Sequence, residues 1–268
     1  MKITLNGKPT ETQTKSVLEL KETISDSKNT VVIVNGFAIN SDYSLCENDS
    51  VVIIKKDVMP EKDEFESMLS ARHTPLVYNR LKKAKVAIAG LGGLGSNIAV
   101  MLARTGIGKM LLVDFDTVEP SNLNRQHYFI RHLSMQKTDA LKEQITELNP
   151  FVCVETKNFY IDETNIKNLF NGYEIICEAF DNPVSKAVLA NTVLTQMPDT
   201  KIVAASGMAG YYSSNKIKTE KKMKNLYVCG DLTNGAKPGT GLMAPRVQIC
   251  AGHQANMILR LLLGIEEV

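Results

Sequence analysis

Three glycines with a fixed spacing follow a short apolar segment near residue 90. Gly90, Gly92 and Gly95 match the pattern G-x-G-x-x-G, directly after the apolar residues 86–89. Glycines in this arrangement permit a tight turn and the close approach of a ligand, whose negative charge meets the free amides at the start of the next helix. The turn therefore predicts a nucleotide-binding site.

A carboxylate, Asp114, follows the glycines at the sequence spacing that is typical of nucleotide-binding sites of this kind. Asp114 ends the second apolar segment, about twenty residues beyond the glycines. A carboxylate there can accept hydrogen bonds from both ribose hydroxyls of a nucleotide. These residues alone leave the nucleotide open, and an NAD-dependent oxidoreductase is one interpretation of them.

The loop after Asp114 carries side chains that dinucleotide binding does not require. Asn122, Asn124 and Arg125 lie within it, and Lys137 follows Arg125 after twelve residues. The fork of an arginine suits phosphate oxygens, and a lysine supplies a point charge. The cluster favours a bound triphosphate over NAD, although a solvated polar loop is an alternative.

Asp181 stands at the end of a third apolar segment, where open α/β folds bind their ligands. A carboxylate at this edge can hold Mg²⁺ between phosphates. The following Asn182 and Pro183 also make Asp181 a candidate N-cap of a helix. Both interpretations stay open on the sequence alone.

The elements that position these residues follow two patterns. From Lys85 onwards, short apolar strands alternate with helices, which predicts an α/β, Rossmann-like, doubly wound and mostly parallel sheet. Residues 1–57 predict a small α+β domain of ubiquitin-like (β-grasp) type, with a ββαββ-like order. The predicted domains are 1–57, a linker with helices at 58–84, and the nucleotide-binding domain 85–268.

Single elements within the second domain are also predictable. We expect helices at about 95–105, at 137–148 with Asn149-Pro150 closing it, and at about 244–263 with Gly264 ending it. Residues 213–225 are polar, basic and weakly periodic, which predicts a mobile loop.

Composition excludes several classes of protein. The chain has 31 Lys and Arg residues against 29 Asp and Glu residues, a net charge of +2, which argues against a nucleic-acid binder. Its apolar runs are too short for a membrane span. Five scattered cysteines without a CxxC pair predict a reduced, cytoplasmic protein with neither a disulfide framework nor structural zinc.

Taken together, these motifs resemble the ThiF/MoeB/HesA family, the bacterial relatives of ubiquitin-activating enzymes. The resemblance rests on GLGGLGS from residue 90, DFDTVEPSNLNRQ from residue 114, Lys137, FDN from residue 180, and GLMAPRVQICAGHQA from residue 241. It covers roughly residues 70–264. Residues 1–57 resemble ThiS, the ubiquitin-like sulfur carrier of thiamine biosynthesis.

The resemblance implies an adenylyltransferase that uses ATP and Mg²⁺ to activate the C-terminal glycine carboxylate of a ThiS-type carrier. It implies that Gly93 and its neighbours line the nucleotide and that Asp114 holds the ribose. It further implies that Asp181 binds Mg²⁺. The phosphates and the rest of the nucleotide would be held by Asn122, Arg125 and Lys137, with Asp116 and Asn124 beside them.

Assembly and partners are implied in the same way. Family members commonly donate an arginine across a homodimer, for which Arg72 is the first candidate here and Arg80 the second. The implied sulfur donor is a protein such as a cysteine desulfurase. Cys229 is a candidate for a covalent acyl link from a loop, with a buried, purely structural cysteine as the alternative.

Several alternatives stay open within and beyond the family. The substrate could be a MoaD-type carrier or a tRNA base, and the chain could be an oxidoreductase or a non-catalytic scaffold. Residues 1–57 lack a free Gly-Gly end, so we interpret them as a docking or stabilising module rather than as substrate. Residues 206–241 are expected to cross the site and guide the carrier tail. The lysines that could meet an acidic carrier are Lys216, Lys218, Lys221, Lys222 and Lys224.

Overall fold

A computed structural model describes residues 1–24, 29–56 and 58–268. These residues divide into two compact units, 1–79 and 80–268. Helix α3 (Pro75–Lys83) runs across the division. Each unit has its own β-sheet, and the two are described separately below.

The first unit is built on a mixed five-stranded sheet with the order β2-β1-β5-β3-β4. Asn6-Gly7 and Asn35-Gly36 have positive φ angles, as the tight turns of two-residue hairpins require. Leu20 of the helix packs with strand residues such as Ile3 and Val51 in a separate apolar core. The elements are β1 (Lys2–Leu5), β2 (Lys8–Glu11), α1 (Val17–Ile24), β3 (Thr30–Val34), β4 (Phe37–Ile39), β5 (Ser50–Lys55) and α2 (Lys62–His73).

The predicted α+β, ubiquitin-like architecture of this unit is confirmed, with one strand more than the ββαββ-like order. Two strands precede α1 and three follow it. Strands β1 and β5 are parallel neighbours at the centre of the sheet, whereas the hairpin pairs are antiparallel. Helices α2 and α3 occupy the predicted linker region.

The second unit contains a seven-stranded sheet with the order β11-β12-β10-β9-β6-β7-β8. All neighbouring strands are parallel except β11, which is antiparallel to β12. The predicted Rossmann-like class is therefore confirmed. The elements are β6 (Lys85–Ala89), α4 (Gly93–Arg104), β7 (Lys109–Val113), α5 (Lys137–Leu148), β8 (Cys153–Lys157), α6 (Ile166–Leu169), β9 (Ile175–Glu178), α7 (Pro183–Gln196), β10 (Lys201–Ala205), β11 (Lys218–Met223), β12 (Leu226–Gly230) and α8 (Ala244–Leu262).

Local signals locate the helix ends well. Helix α5 has the predicted bounds and Asn149 at its C-cap. Helix α8 ends one residue earlier than expected, and Gly264 after it has φ +80°, the left-handed conformation that favours glycine at a helix end. Helix α4 begins at Gly93, inside the glycine turn.

The prediction of a mobile loop at 213–225 is wrong. Strand β11 occupies Lys218–Met223 and pairs with β12 in an antiparallel ladder. Its stability comes from that ladder, from the buried Tyr227 on β12, and from an ion pair between Lys221 and Glu266. An edge strand facing solvent needs no apolar pattern, so hydropathy does not reveal it.

No helix within the described part of the chain is long and apolar enough to cross a membrane.

Candidate nucleotide-binding site

A cavity of about 590 Å³ opens at the carboxyl ends of β6, β7, β9 and β10. The chain runs outward from β6 through β7 to β8, and then returns to β9 on the other side of β6. Open α/β sheets bind ligands at such a reversal of strand order. The lining includes Gly90, Gly92, Gly93, Asp114, Phe115, Asp116, Arg125, Gln126, Lys137, Tyr160, Asp181, Lys186, Ser206, Gly207, Met208, Gly235, Ala236, Leu242 and Val247.

The glycine turn connects β6 to α4 under close steric limits. Gly90 has φ +90°, and a Cβ there would lie 2.9 Å from the carbonyl oxygen of Ala179. A Cβ on Gly95 would lie 1.9 Å from the carbonyl oxygen of Gly90. Gly90, Gly92 and Gly93 line the cavity, whereas Gly95 allows the helix to pack against the turn. The first amides of α4 are available to an anion at this point.

Asp114 lines the cavity directly after β7. Its carboxylate accepts hydrogen bonds from the amide of Leu91 at 2.6 Å and the amide of Asp116 at 2.8 Å. Burial raises the pKa of Asp114, while the charge of Lys137 and the two amides oppose that rise. The geometry holds one carboxylate at the position expected for ribose recognition.

Lys137 is the first residue of α5 and is buried at the cavity wall. Its Nζ lies 2.6 Å from a carboxylate oxygen of Asp116, and its amide donates to the carbonyl of Asp116 at 3.0 Å. Only 7% of the lysine side chain is exposed. The pair holds the ammonium group next to the cavity with protons left for a second acceptor.

Arg125 also lines the cavity, and the predicted Asn122 and Asn124 form hydrogen bonds within the loop around it. The Arg125 Nη1 donates to the carbonyl of Ser121 at 3.2 Å and to the Asn124 Oδ1 at 2.8 Å. Its buried Nε has no hydrogen-bond partner among the described residues. Asn122 accepts from the amide of Glu119 at 3.1 Å, which closes a short 3-10 turn. Among the described residues, neither asparagine lines the cavity.

The interpretation of Asp181 as an N-cap is wrong. Asn182 caps α7 instead, accepting from the amides of Val184 at 2.8 Å and Ser185 at 3.3 Å, with Pro183 at the first helical position. The exposed Asp181 carboxylate lines the cavity and makes no hydrogen bond or ion pair with the described residues. An unpaired carboxylate at the edge of this cavity fits the donor set of Mg²⁺, which takes one or two carboxylates together with phosphates and water.

Two other predicted residues lie outside the cavity lining. Arg72 is exposed on α2 of the first unit, and its role stays a prediction. Arg80 of the second unit donates at 2.7 Å both to the carbonyl of Leu262 and to Glu174. Through these contacts Arg80 connects α3 to the end of α8 and to Glu174 within the second unit.

The assignment of Cys229 to a loop is also wrong. Cys229 lies on β12 and is fully buried, and burial raises the pKa of its thiol to about 11. A thiol that is shielded and protonated is a poor nucleophile. The alternative of a structural cysteine fits this environment, as it does for the fully buried Cys177.

The structure adds residues to the site that motif reading missed. Lys186 lines the cavity, and its Nζ donates to both carboxylate oxygens of Glu178, at 2.9 and 3.0 Å, and to the carbonyl of Ala205 at 3.0 Å. Phe115 and Tyr160 form an exposed edge-to-face pair with ring centroids 5.4 Å apart. Phe115 and Tyr160 follow soon after the ends of β7 and β8, whereas Lys186 lies in the first turn of α7. No pattern of spacing along the chain distinguishes these three residues.

Two protein-family models match this chain. The model of the ThiF family matches residues 67–268, and the model of ThiS-like ubiquitin matches residues 1–57. The chain is 28% identical to the adenylyltransferase and sulfurtransferase UBA4 of Yarrowia lipolytica over 69% of this chain and 47% of that protein. It is 36% identical to the molybdopterin-synthase adenylyltransferase of Haemophilus influenzae, over 48% and 52% respectively. The matched regions thus span about half the length of these curated relatives.

A solved structure shares the fold. The tRNA N6-threonylcarbamoyladenosine dehydratase of E. coli in complex with AMP superposes with a TM-score of 0.68 at 19% identity. The match covers 78% of this chain and 98% of that one.

Proposed function

The chain belongs to the ThiF family, and on that premise we propose that it is an adenylyltransferase acting on the C-terminal carboxylate of a ubiquitin-like sulfur carrier. The observation that carries the proposal is the cavity, which combines a glycine turn, Asp114, the cations of Arg125 and Lys137, and the unpaired Asp181. The relatives support it because their names describe adenylyltransferases.

In the proposed reaction ATP lies over the glycine turn with its ribose on Asp114. A carboxylate oxygen of the carrier attacks the α-phosphorus, the bond to the β-phosphate oxygen breaks, and pyrophosphate leaves. Arg125 and Lys137 offset the negative charge that develops on the phosphates. The reaction needs no general base, because the carrier carboxylate is already ionised at neutral pH.

Asp181 would hold Mg²⁺, which supplies charge neutralisation to the phosphates when bound. Asp116 is a positioning residue in this scheme, because its carboxylate fixes Lys137 at 2.6 Å. Asn124 fixes Arg125 in the same way at 2.8 Å. The site therefore presents its cations in fixed positions, which is the arrangement that lowers the cost of reorganisation during reaction.

The proposal extends to the carrier, the sulfur donor, the assembly and the cellular setting. We propose a ThiS-type carrier of thiamine biosynthesis as the first substrate, supported by the ThiS-like match of residues 1–57, and a MoaD-type carrier as the second. A cysteine desulfurase would supply the sulfur. A homodimer would allow Arg72 to reach the phosphates of a second copy. A reduced cytoplasmic setting is consistent with five free cysteines.

The test is ATP–pyrophosphate exchange with Mg²⁺, measured alone and with purified ThiS and MoaD. Exchange that depends on one carrier would establish both the reaction and the substrate. The Arg125→Ala variant should lose most of this exchange, and unchanged exchange would refute the phosphate assignment. Absence of exchange with either carrier, together with tight binding of NAD, would favour the oxidoreductase instead.

A further inference from the structure

A fully buried ion pair lies beside the cavity and has no part in the reaction as described. Arg246, in the first turn of α8, contacts Asp231 with side chains only 4% and 3% exposed. The next residue of the helix, Val247, lines the cavity. Removing two charges from water costs free energy, so a buried pair at this position calls for an explanation.

Each partner of the pair organises a separate loop. The Nη1 of Arg246 donates to the carbonyls of Tyr212 and Ser213, both at 2.8 Å. Asp231 accepts from the amides of Thr233 at 3.0 Å and Asn234 at 2.8 Å. Burial alone would raise the pKa of Asp231, but hydrogen bonds from Asn234 and Thr233 and the charge of Arg246 lower it to about 2.

The two loops together form one side of the cavity, here called the loop wall: residues 206–213 and 231–242. The amide of Ala209 donates to the carbonyl of Asn234 at 2.9 Å, and that of Gly210 to the carbonyl of Gly241 at 2.7 Å. At Gly207, with φ +79°, a Cβ would lie 2.2 Å from Asp231 Oδ1. The pair and the wall are therefore packed in direct contact.

The loop wall lies away from Asp114, the carboxylate assigned to the ribose. It begins after β10, whereas Asp114 follows β7, and β9 and β6 separate these strands in the sheet. The wall's lining consists of small and apolar residues and contains no charge: Ser206, Gly207, Met208, Gly235, Ala236 and Leu242. Such a surface suits an extended, uncharged peptide segment better than a triphosphate.

We propose that Arg246 and Asp231 are positioning residues that hold the loop wall in the shape that receives the extended peptide segment preceding the C-terminal carboxylate of the second substrate. The inference rests on the proposed function. It assigns affinity for the carrier to this ion pair and affinity for ATP to the opposite side of the cavity.

The test compares Arg246→Lys with Arg260→Lys. Lysine retains the charge opposite Asp231 but loses the fork that reaches two carbonyls. Arg260 lies on the same helix and donates to the carbonyl of Glu267 near the C-terminus, so it is a matched control. In pyrophosphate exchange with ThiS or MoaD, Arg246→Lys should raise the KM for the carrier about tenfold, with the KM for ATP within about twofold of wild type. Arg260→Lys should change neither.

Hydrogen exchange links the kinetic effect to the wall. Backbone amides of residues 207–213 and 231–242 should exchange faster in Arg246→Lys than in the wild type, while those of α4 stay unchanged. Asp231→Asn provides a second variant that keeps the side-chain shape, and it should show the same split between the two KM values.

The outcomes separate two failures. Suppose that the wild type exchanges pyrophosphate, but Arg246→Lys and Asp231→Asn raise the KM for the carrier and the KM for ATP equally, or leave both KM values unchanged. The positioning role is then overturned and the proposed function stands. If the wild type exchanges with neither carrier, the proposed function fails and the inference fails with it.

Discussion

The two ends of the cavity are built in different ways. At the glycine-turn end, residues 90–95 and Asp114 directly follow neighbouring strands, and Lys137 opens the next helix. At the loop wall, the shape depends on Arg246, which reaches Asp231 across fifteen residues and Tyr212 across thirty-four. One end is encoded by short motifs, and the other by contacts between distant parts of the chain.

This difference predicts which substitutions should disrupt each end of the cavity. The glycine-turn end depends on backbone geometry, so it should be sensitive to any added side-chain atom at Gly95. The loop wall and the strand ends beneath it depend on buried ion pairs, so they should be sensitive to the loss of one partner.

The largest effect is expected at Lys186, which holds Glu178 and the end of β10 beneath the loop wall. The Lys186→Met variant leaves the Glu178 carboxylate, 2% exposed, without its counter-charge. We expect a loss of about 3–5 kcal/mol in the free energy of unfolding at neutral pH, measured by denaturant titration.

The pH dependence of that loss has a definite sign. Burial raises the pKa of Glu178 above its ordinary value of 4.5, and Lys186 opposes the rise. In the variant the pKa should rise further, so the deficit should shrink as the pH falls towards 4.5 and grow as it rises. Lys201→Met is the control, because Lys201 is 24% exposed and pairs with the half-exposed Glu266. An equally large loss there would contradict the role of burial.

At the glycine-turn end, Gly95→Ala should be nearly as damaging. Its Cβ would lie 1.9 Å from a backbone oxygen, and neither atom can move without opening the turn. We expect a loss of about 3 kcal/mol in stability and of measurable ATP binding, followed by thermal unfolding and calorimetry. Gly252→Ala in α8 meets nothing within 4 Å and should be neutral or slightly stabilising. A tolerated Gly95→Ala would remove the contrast between the two ends.

A smaller effect is expected from the cation of the glycine-turn end. Lys137→Met should reduce the rate of pyrophosphate exchange about a hundredfold, equivalent to about 2.7 kcal/mol, because one preorganised charge is lost. Lys142→Met, an exposed position of the same helix, is the matched control. Comparable losses in both variants would show that net charge, not position, is responsible.

The smallest effect concerns the lysines on and beside the edge strand β11. Lys221 and Lys222 form ion pairs with Glu266 and Glu220, whereas the likewise exposed Lys216, Lys218 and Lys224 form none with the described residues. Replacing these last three by Gln should slow association with an acidic carrier about threefold at low salt and have no effect at high salt. Stopped-flow measurements at two ionic strengths would decide it, and a salt-independent change would exclude steering.

Motifs located the residues that line the glycine-turn end, because these residues adjoin strand and helix ends that hydropathy reveals. The bounds of α5 and the termination of α8 at Gly264 follow from the same local chemistry. Strand β11 was missed because its stability comes from pairing with β12 rather than from its own pattern. For Asp181 the structure excludes only the N-cap interpretation, because Asn182 accepts from the α7 amides instead. The Mg²⁺ role of Asp181 stays a prediction.

The sequence by itself determined the α/β class, and its motifs predicted that Asp114, Arg125 and Lys137 belong to one site, as their shared cavity shows, because glycine spacing and apolar periodicity act over a few residues. Only the tertiary structure decided that Cys229 is a buried strand residue, that Lys186 and Glu178 lie together under the cavity, and that Arg246 joins two loops. These facts depend on which distant residues meet when strands pair and helices pack. A spacing along the chain does not contain that information.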